Sequence, residues 1–198
     1  MLSLLYLLLI IHSLQFDKSR TIIIYFSRAG ENYNVGKVDK GNTEMVVEYL
    51  KEISGIISYK ITPEKEYPKN YEETLQYVKN EQSSDARPAI KEPLTDISKY
   101  DTILLGYPIW YDHIPNILIN QLELLNFEGK TIFPFNTHEG SGVGNSINEI
   151  KKYAPKAIIK NGFPLSGTDA RGDISHERIK KWFGNIYSSK KINEEDYL

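Results

Sequence analysis

Between Gly36 and Thr43 the sequence reads Gly-Lys-Val-Asp-Lys-Gly-Asn-Thr, which satisfies the triphosphate-binding pattern G-x-x-x-x-G-K-[ST] at every fixed position except one. The lysine is replaced by Asn42. In a triphosphate site that lysine neutralises the β- and γ-phosphates, so its loss argues against a standard NTPase and toward a single terminal monophosphate. Ser27, Asn42 and Thr43 supply neutral hydrogen-bond donors, and a helix starting at Asn42-Thr43 adds backbone N–H groups with a partial positive charge. Lys37 and Lys40 face either the ligand or solvent. The bland alternative is a glycine-rich surface loop leading into a capped helix.

Two more loops carry chemistry. Residues 107–115 set Trp110 and Tyr111 side by side between Pro108 and Pro115, and flat aromatics on a proline-stiffened loop suit either stacking on a planar ring or core packing. Residues 136–144 offer the hydroxyls of Thr137 and Ser141, the carboxylate of Glu139, and glycine backbone that can approach a ligand closely; read plainly, they are a connection. His138 in that loop is either a hydrogen-bonding or proton-donating group or an exposed loop residue. His113, His12 and His176 have weaker settings, no pair has metal-ligand spacing, and no Ser/His/Asp arrangement stands out.

The elements that position these loops follow from periodicity. Residues 21–26 form a β-branched and aromatic run whose Ile22-Ile23-Ile24 centre predicts a strand buried on both faces. A helix is predicted over 43–54, capped by Asn42 or Thr43 and stopped at Gly55, then a strand over 56–61 and a loop over 63–68. Residues 71–82 have helical spacing, and 83–93 read as an irregular connector. A buried strand at 102–106, a helix opening at Pro115 and running to about 125, and a strand at 129–135 come next. The third loop opens a helix ending near 153. Residues 157–159 predict a short strand, 162–173 a loop or insertion with no assignable chemistry, and 175–186 a last helix capped by Ser175. Strands alternating with helices predict an α/β fold: a three-layer, doubly wound, five-stranded parallel sheet of order 2-1-3-4-5. Ligands of such sheets sit beyond the carboxyl ends of the strands, where all three loops fall.

Composition bounds the function. The chain has 198 residues, 40% of them hydrophobic, and a formal net charge of −2, so nothing favours a nucleic-acid backbone. It has no cysteine, which removes disulfides, thiolate metal sites and cysteine nucleophiles; redox chemistry would need a bound cofactor. The organisation reads as an apolar extension over 1–20 that is signal-like, an anchor or a non-native start outside the fold, one domain over 21–187 and a polar, frayed tail over 188–198. The apolar run at 2–11 is shorter than the roughly 20 residues of a membrane span. Lys18 and Arg20 follow it and none precedes it, the reverse of a secretory signal. A cytoplasmic protein is the expectation, with export or anchoring through residues 1–20 as alternatives and stable membrane insertion not expected.

In that order, YFSRAGENYNVG, GNTE, GYPIWYD and PFNTHEGSG resemble the flavodoxins, and more closely a flavodoxin-like branch whose phosphate loop is extended ahead of G-N-T. The resemblance covers about 21–183. It implies non-covalently bound FMN, with Ser27, Ala29, Asn42 and Thr43 at the phosphate and Asn32 and Tyr33 nearby. Pro108, Ile109, Trp110 and Tyr111 would line one side of the isoalloxazine, and Thr137, Glu139, Gly140, Ser141 and Gly142 the other, with His138 as a further contact or a proton donor to a bound quinone. Asp112 stands where relatives often have glycine. The function implied is electron carriage between a reductase and an acceptor protein. A flavin-dependent NAD(P)H oxidoreductase acting on quinones or similar small acceptors is the alternative, and a cofactor-free interaction module the second alternative. No oligomeric state is implied.

Overall fold

The computed structural model describes residues 17–195, with side chains described as far as Ile186, so the apolar run at 2–11 and the end of the tail lie outside it. In chain order the elements are β1 (Thr21–Tyr25), β2 (Gly30–Asn32), β3 (Gly36–Val38), α1 (Asn42–Ser54), β4 (Ser58–Lys60), β5 (Thr62–Pro63), α2 (Tyr71–Ser83), β6 (Ile90–Lys91) and β7 (Thr102–Pro108). They continue with α3 (Asn116–Glu123), β8 (Thr131–His138), α4 (Ser146–Tyr153), β9 (Ile158–Ile159), β10 (Phe163–Ser166) and α5 (Asp173–Glu195).

Burial on both faces organises the sheet. In β1, Ile22 and Ile24 enter one hydrophobic core, while Ile23 and Tyr25 enter the other. Alternate residues of a strand point to opposite faces, so a run of three isoleucines needs cover on both. Val46, Val47 and Leu50 of α1 and Ile179, Phe183 and Ile186 of α5 cover one face. Val78 of α2, Ile117, Leu118 and Leu122 of α3, and Ile150 of α4 belong to the core on the other. The main sheet has the order β10-β8-β7-β1-β4, with β9 also on β8, and every pairing within it is parallel. The predicted fifth strand, 157–159, is β9 on β8, which gives the predicted 2-1-3-4-5 order, and β10 adds a sixth strand on the same side of β8. Among the described residues no helix is long and apolar enough to cross a membrane.

The differences from the sequence-based expectation have physical causes. The stretch 162–173, predicted as loop, contains β10, which pairs with β8 from Phe163 beside Phe135 to Ser166 beside His138. Pro164 hid it, because proline removes a ladder donor and is tolerated in sheets mainly on an edge strand, the position β10 occupies. The first loop folds its extension into the β2–β3 hairpin, and β5 pairs antiparallel with β6 inside stretches predicted to be irregular. Pro115 caps α3 rather than starting it. The tail predicted to fray continues α5 as far as Glu195. Gly55, the predicted stop of α1, is left-handed at φ 69° and returns its N–H to Lys51 O at 2.8 Å.

Gly106, in β7 at the centre of the sheet, is a packing constraint. A Cβ there would lie 2.3 Å from Cζ of Phe135, on the neighbouring strand. Overpacking of this kind costs about 1–3 kcal/mol, so Gly106→Ala should lower the denaturation midpoint. Gly184→Ala, at an exposed position of α5 with open space around the added methyl, should stabilise by about 0.5–1 kcal/mol through helix propensity. Chemical denaturation followed by circular dichroism checks the opposite signs.

Candidate functional site

At the carboxyl edge of the sheet the first loop is fixed by a close approach. Gly41 is the N-cap of α1 and makes no side-chain cap. A Cβ on Gly41 would stand 2.3 Å from Ser27 Oγ and 2.4 Å from Arg28 O, so only glycine lets the helix start against the end of β1. Ser27 then does the capping, its Oγ accepting the Glu44 N–H at 3.1 Å. Asn42 and Thr43, expected as caps, instead occupy the first helical turn, where backbone N–H groups have no partner within the helix. Thr43 Oγ1 meets Thr137 Oγ1 at 2.8 Å, which ties this turn to the end of β8.

Other contacts lock the loops to one another. Glu139 accepts from Asn34 Nδ2 at the tip of the β2–β3 hairpin at 3.1 Å and from Gly167 N–H, just after β10, at 3.0 Å. Arg28 holds the base of the hairpin by donating to Pro68 O at 2.9 Å, Ala29 O at 3.2 Å and Glu31 O. Lys40 pairs with Glu48 and Lys37 is exposed; neither lines the cleft that the loops enclose.

The aromatic loop turns back on itself at Tyr111-Asp112, with both residues left-handed at φ 50° and 65° and Trp110 exchanging backbone hydrogen bonds with His113 at 3.0 Å. Glycine would hold the Asp112 position with less strain. Three anchors keep the turn in place. Gln82 Nε2 donates to Trp110 O at 3.0 Å, Asn145 N–H donates to Asp112 O at 2.8 Å, and Glu149 takes His113 Nδ1 at 2.8 Å and Ile114 N–H at 2.9 Å. The Trp110 ring stands edge-on to Phe26 and to Tyr67, with centroids 5.5 and 5.1 Å away.

These parts enclose an open cleft of about 200 Å³. Of the residues singled out in sequence, Ser27, Asn32, Tyr33, Asn42, Thr43, Pro108, Ile109, Trp110, Tyr111, Thr137, His138 and Glu139 line it. Ala29 lines a neighbouring cleft instead, and Gly140, Ser141 and Gly142 are not part of the wall. Sequence reasoning missed Arg28 and a stripe of α2, Tyr71, Thr74, Leu75 and Val78. The helical spacing of that stripe was visible, but periodicity alone does not say whether a face meets core or cleft. His138 accepts the Gly140 N–H on Nδ1 at 3.0 Å, which in the neutral ring leaves Nε2 as donor. Burial holds its pKa below the ordinary histidine value, favouring that neutral form. Among the described residues no group of three or more His, Asp and Glu is placed to hold a metal ion.

A doubly wound parallel sheet whose switch-point cleft joins a helix N-terminus to an aromatic wall defines a nucleotide- or flavin-binding class of protein. The flavodoxin family model matches residues 20–186, and the chain belongs to that family. Among solved structures, an inferred flavoprotein from Bacteroides eggerthii is 31% identical, covering 85% of this chain and 98% of its own, with a TM-score of 0.67. Another from Bacteroides uniformis is 26% identical, covering 84% and 98%, also with a TM-score of 0.67. A flavoprotein from Lactobacillus acidophilus, solved in complex with FMN, is 18% identical over 77% and 97%, with a TM-score of 0.55, and supports the fold alone. No curated protein matches the chain.

Behind Trp110 lies a buried carboxyl. Tyr67 donates its hydroxyl to Glu81 Oε1 at 3.2 Å, and Glu81 Oε2 has no hydrogen-bond partner among the described residues. Burial pushes the Glu81 pKa from 4.5 up to about 7, outweighing the Tyr67 hydrogen bond. The folded protein therefore holds this proton more tightly than the unfolded chain. The stability it contributes is complete below pH 4.5 and is lost as pH rises through about 7. Glu81→Gln should thus gain stability over the parent between pH 5 and pH 8, read from denaturant midpoints at several pH values; a constant difference across that range would show that Glu81 is ionised throughout.

Proposed function

We propose that the cleft binds FMN and that the protein carries electrons between a reductase and an acceptor. The observation that carries this reading is the pairing, in one cleft, of a lysine-free anion cradle with an aromatic wall, in a chain of the flavodoxin family. The residues present suit the group. Ser27, Asn42, Thr43 and the first turn of α1 offer neutral donors to one phosphate, while Pro108, Ile109, Trp110 and Tyr111 supply flat, largely apolar surface to a planar ring.

When bound, FMN supplies one- and two-electron transfer; the protein's part is to hold it and set its potentials. Trp110, braced by Phe26 and Tyr67, provides a fixed surface of low polarity. His138, with Nε2 as its donor, can give a hydrogen bond to an acceptor in the cleft. Glu139 adds negative charge at the wall, which disfavours an anionic reduced ring and lowers the potential. Its placement is firm because both of its oxygens are engaged. Partner proteins would meet the exposed mouth, where Tyr33 and Tyr111 are 53% and 49% accessible.

A second reading, an FMN-dependent NAD(P)H oxidoreductase acting on quinones or similar acceptors, is favoured by the same mouth. Tyr33, Tyr71 and Tyr111 all line it and could receive a planar acceptor. Stopped-flow mixing of the FMN-loaded protein with NADPH separates the two: slow bleaching without added reductase is expected of a carrier, and rapid bleaching would establish the enzyme. Trp110→Ala should weaken FMN binding by roughly tenfold or more and shift at least one potential. Unchanged affinity and redox titration would remove Trp110 from the site.

A further inference from the structure

We propose that Arg171 is the positioning residue for the phosphate end of the cleft, supplying from beyond the far edge strand the positive charge that the loop's missing lysine leaves out. The proposal rests on the FMN reading above. Its starting point is β10, which delivers the segment 166–173 to the first turn of α1. Gly167 makes the approach possible: a Cβ there would lie 2.3 Å from both Asn42 Nδ2 and Glu139 Oε1. Ser166 Oγ accepts the Asp169 N–H at 3.0 Å, and a single 3-10 turn, Asp169–Arg171, follows. From it Arg171 Nε donates to Asn42 Oδ1 at 2.7 Å, and Nη2 donates to Lys40 O.

Two features separate this arginine from an ordinary surface ion pair. Arg20, Arg87 and Arg178 each pair with a carboxylate, Asp101, Asp85 with Glu123, and Asp169 respectively, whereas Arg28, like Arg171, is held by neutral acceptors, but at the base of the hairpin rather than at Asn42. Arg171 is held by neutral acceptors, forms no salt bridge among the described residues, and is partly desolvated, with burial lowering its pKa. A guanidinium drawn out of water without a counter-charge costs free energy that an arriving anion recovers. The second feature is direction. By occupying Oδ1 of Asn42, Arg171 fixes the orientation of that amide and leaves Nδ2, the donor end, for an anionic ligand. The triphosphate-loop lysine would touch phosphate directly; Arg171 works through Asn42 and through its charge.

The test titrates the full-length apoprotein with FMN and with riboflavin, which lacks the phosphate, following flavin fluorescence. Arg171→Gln should weaken FMN binding by roughly tenfold or more, while riboflavin affinity changes by less than about twofold. Arg171→Lys, which keeps the charge and loses the fork, should fall between Gln and the parent for FMN and leave riboflavin unchanged. The Gln substitution should add little to the FMN defect of Asn42→Ala, because the two residues act together. Equal loss of both flavins, or loss of neither, would overturn the assignment while leaving the FMN reading intact. A parent protein that binds neither flavin would overturn both. If Arg171→Gln fails to fold by circular dichroism, the FMN-to-riboflavin ratio of Arg171→Lys decides.

Discussion

The site depends on the contact between the start of α1 and the end of β1. Gly41 has no side chain, so the helix begins against Ser27 and Arg28, at distances no Cβ could occupy. Ser27, two residues past the end of β1, then becomes the cap of the helix. This contact places the unpaired N–H groups of the first turn at the switch point of the sheet, where the partial charge of α1 can act on a bound anion. Moving the helix outward by even one side chain would break the Thr43–Thr137 link and the Asn42–Arg171 link together. Fold and site are therefore coupled at a single glycine.

Around that contact the loops brace one another across long sequence separations. Glu139 joins the hairpin tip to the segment after β10, and Glu149 and Gln82 hold the aromatic turn from two helices. The left-handed pair Tyr111-Asp112 can persist because these anchors over-determine it. A ligand thus meets walls set before it arrives, which lowers the ordering cost of binding. α2 contributes Tyr71, Thr74, Leu75 and Val78 to the same cleft.

Much of this was legible in the sequence, and the reasons are local. Ile22-Ile23-Ile24 and the run 102–106 announced strands buried on both faces, and loops at strand ends line the cleft. Asn42 in place of lysine argues against the triphosphate reading from the sequence alone. What stayed hidden depends on long-range pairing. β10 was obscured by Pro164, and without β10 nothing linked the segment 166–173 to Asn42, 129 residues from Arg171 in sequence. Tertiary structure likewise turns Lys40 to Glu48, leaves Lys37 exposed and brings Arg171 to Asn42. The α2 stripe was periodic, but no local signal says that its face borders a cleft.

The central claim is that the cleft at the start of α1 is an FMN site with its phosphate on the first helical turn. A crystal structure of the protein grown with FMN tests it most directly. The account predicts the phosphate within hydrogen-bond distance of Ser27, Asn42 or Thr43 and the first-turn N–H groups, with the isoalloxazine against the 108–111 loop. Phosphate density in the neighbouring cleft beside Ala29, or a flavin whose ring end rather than phosphate meets α1, would contradict it.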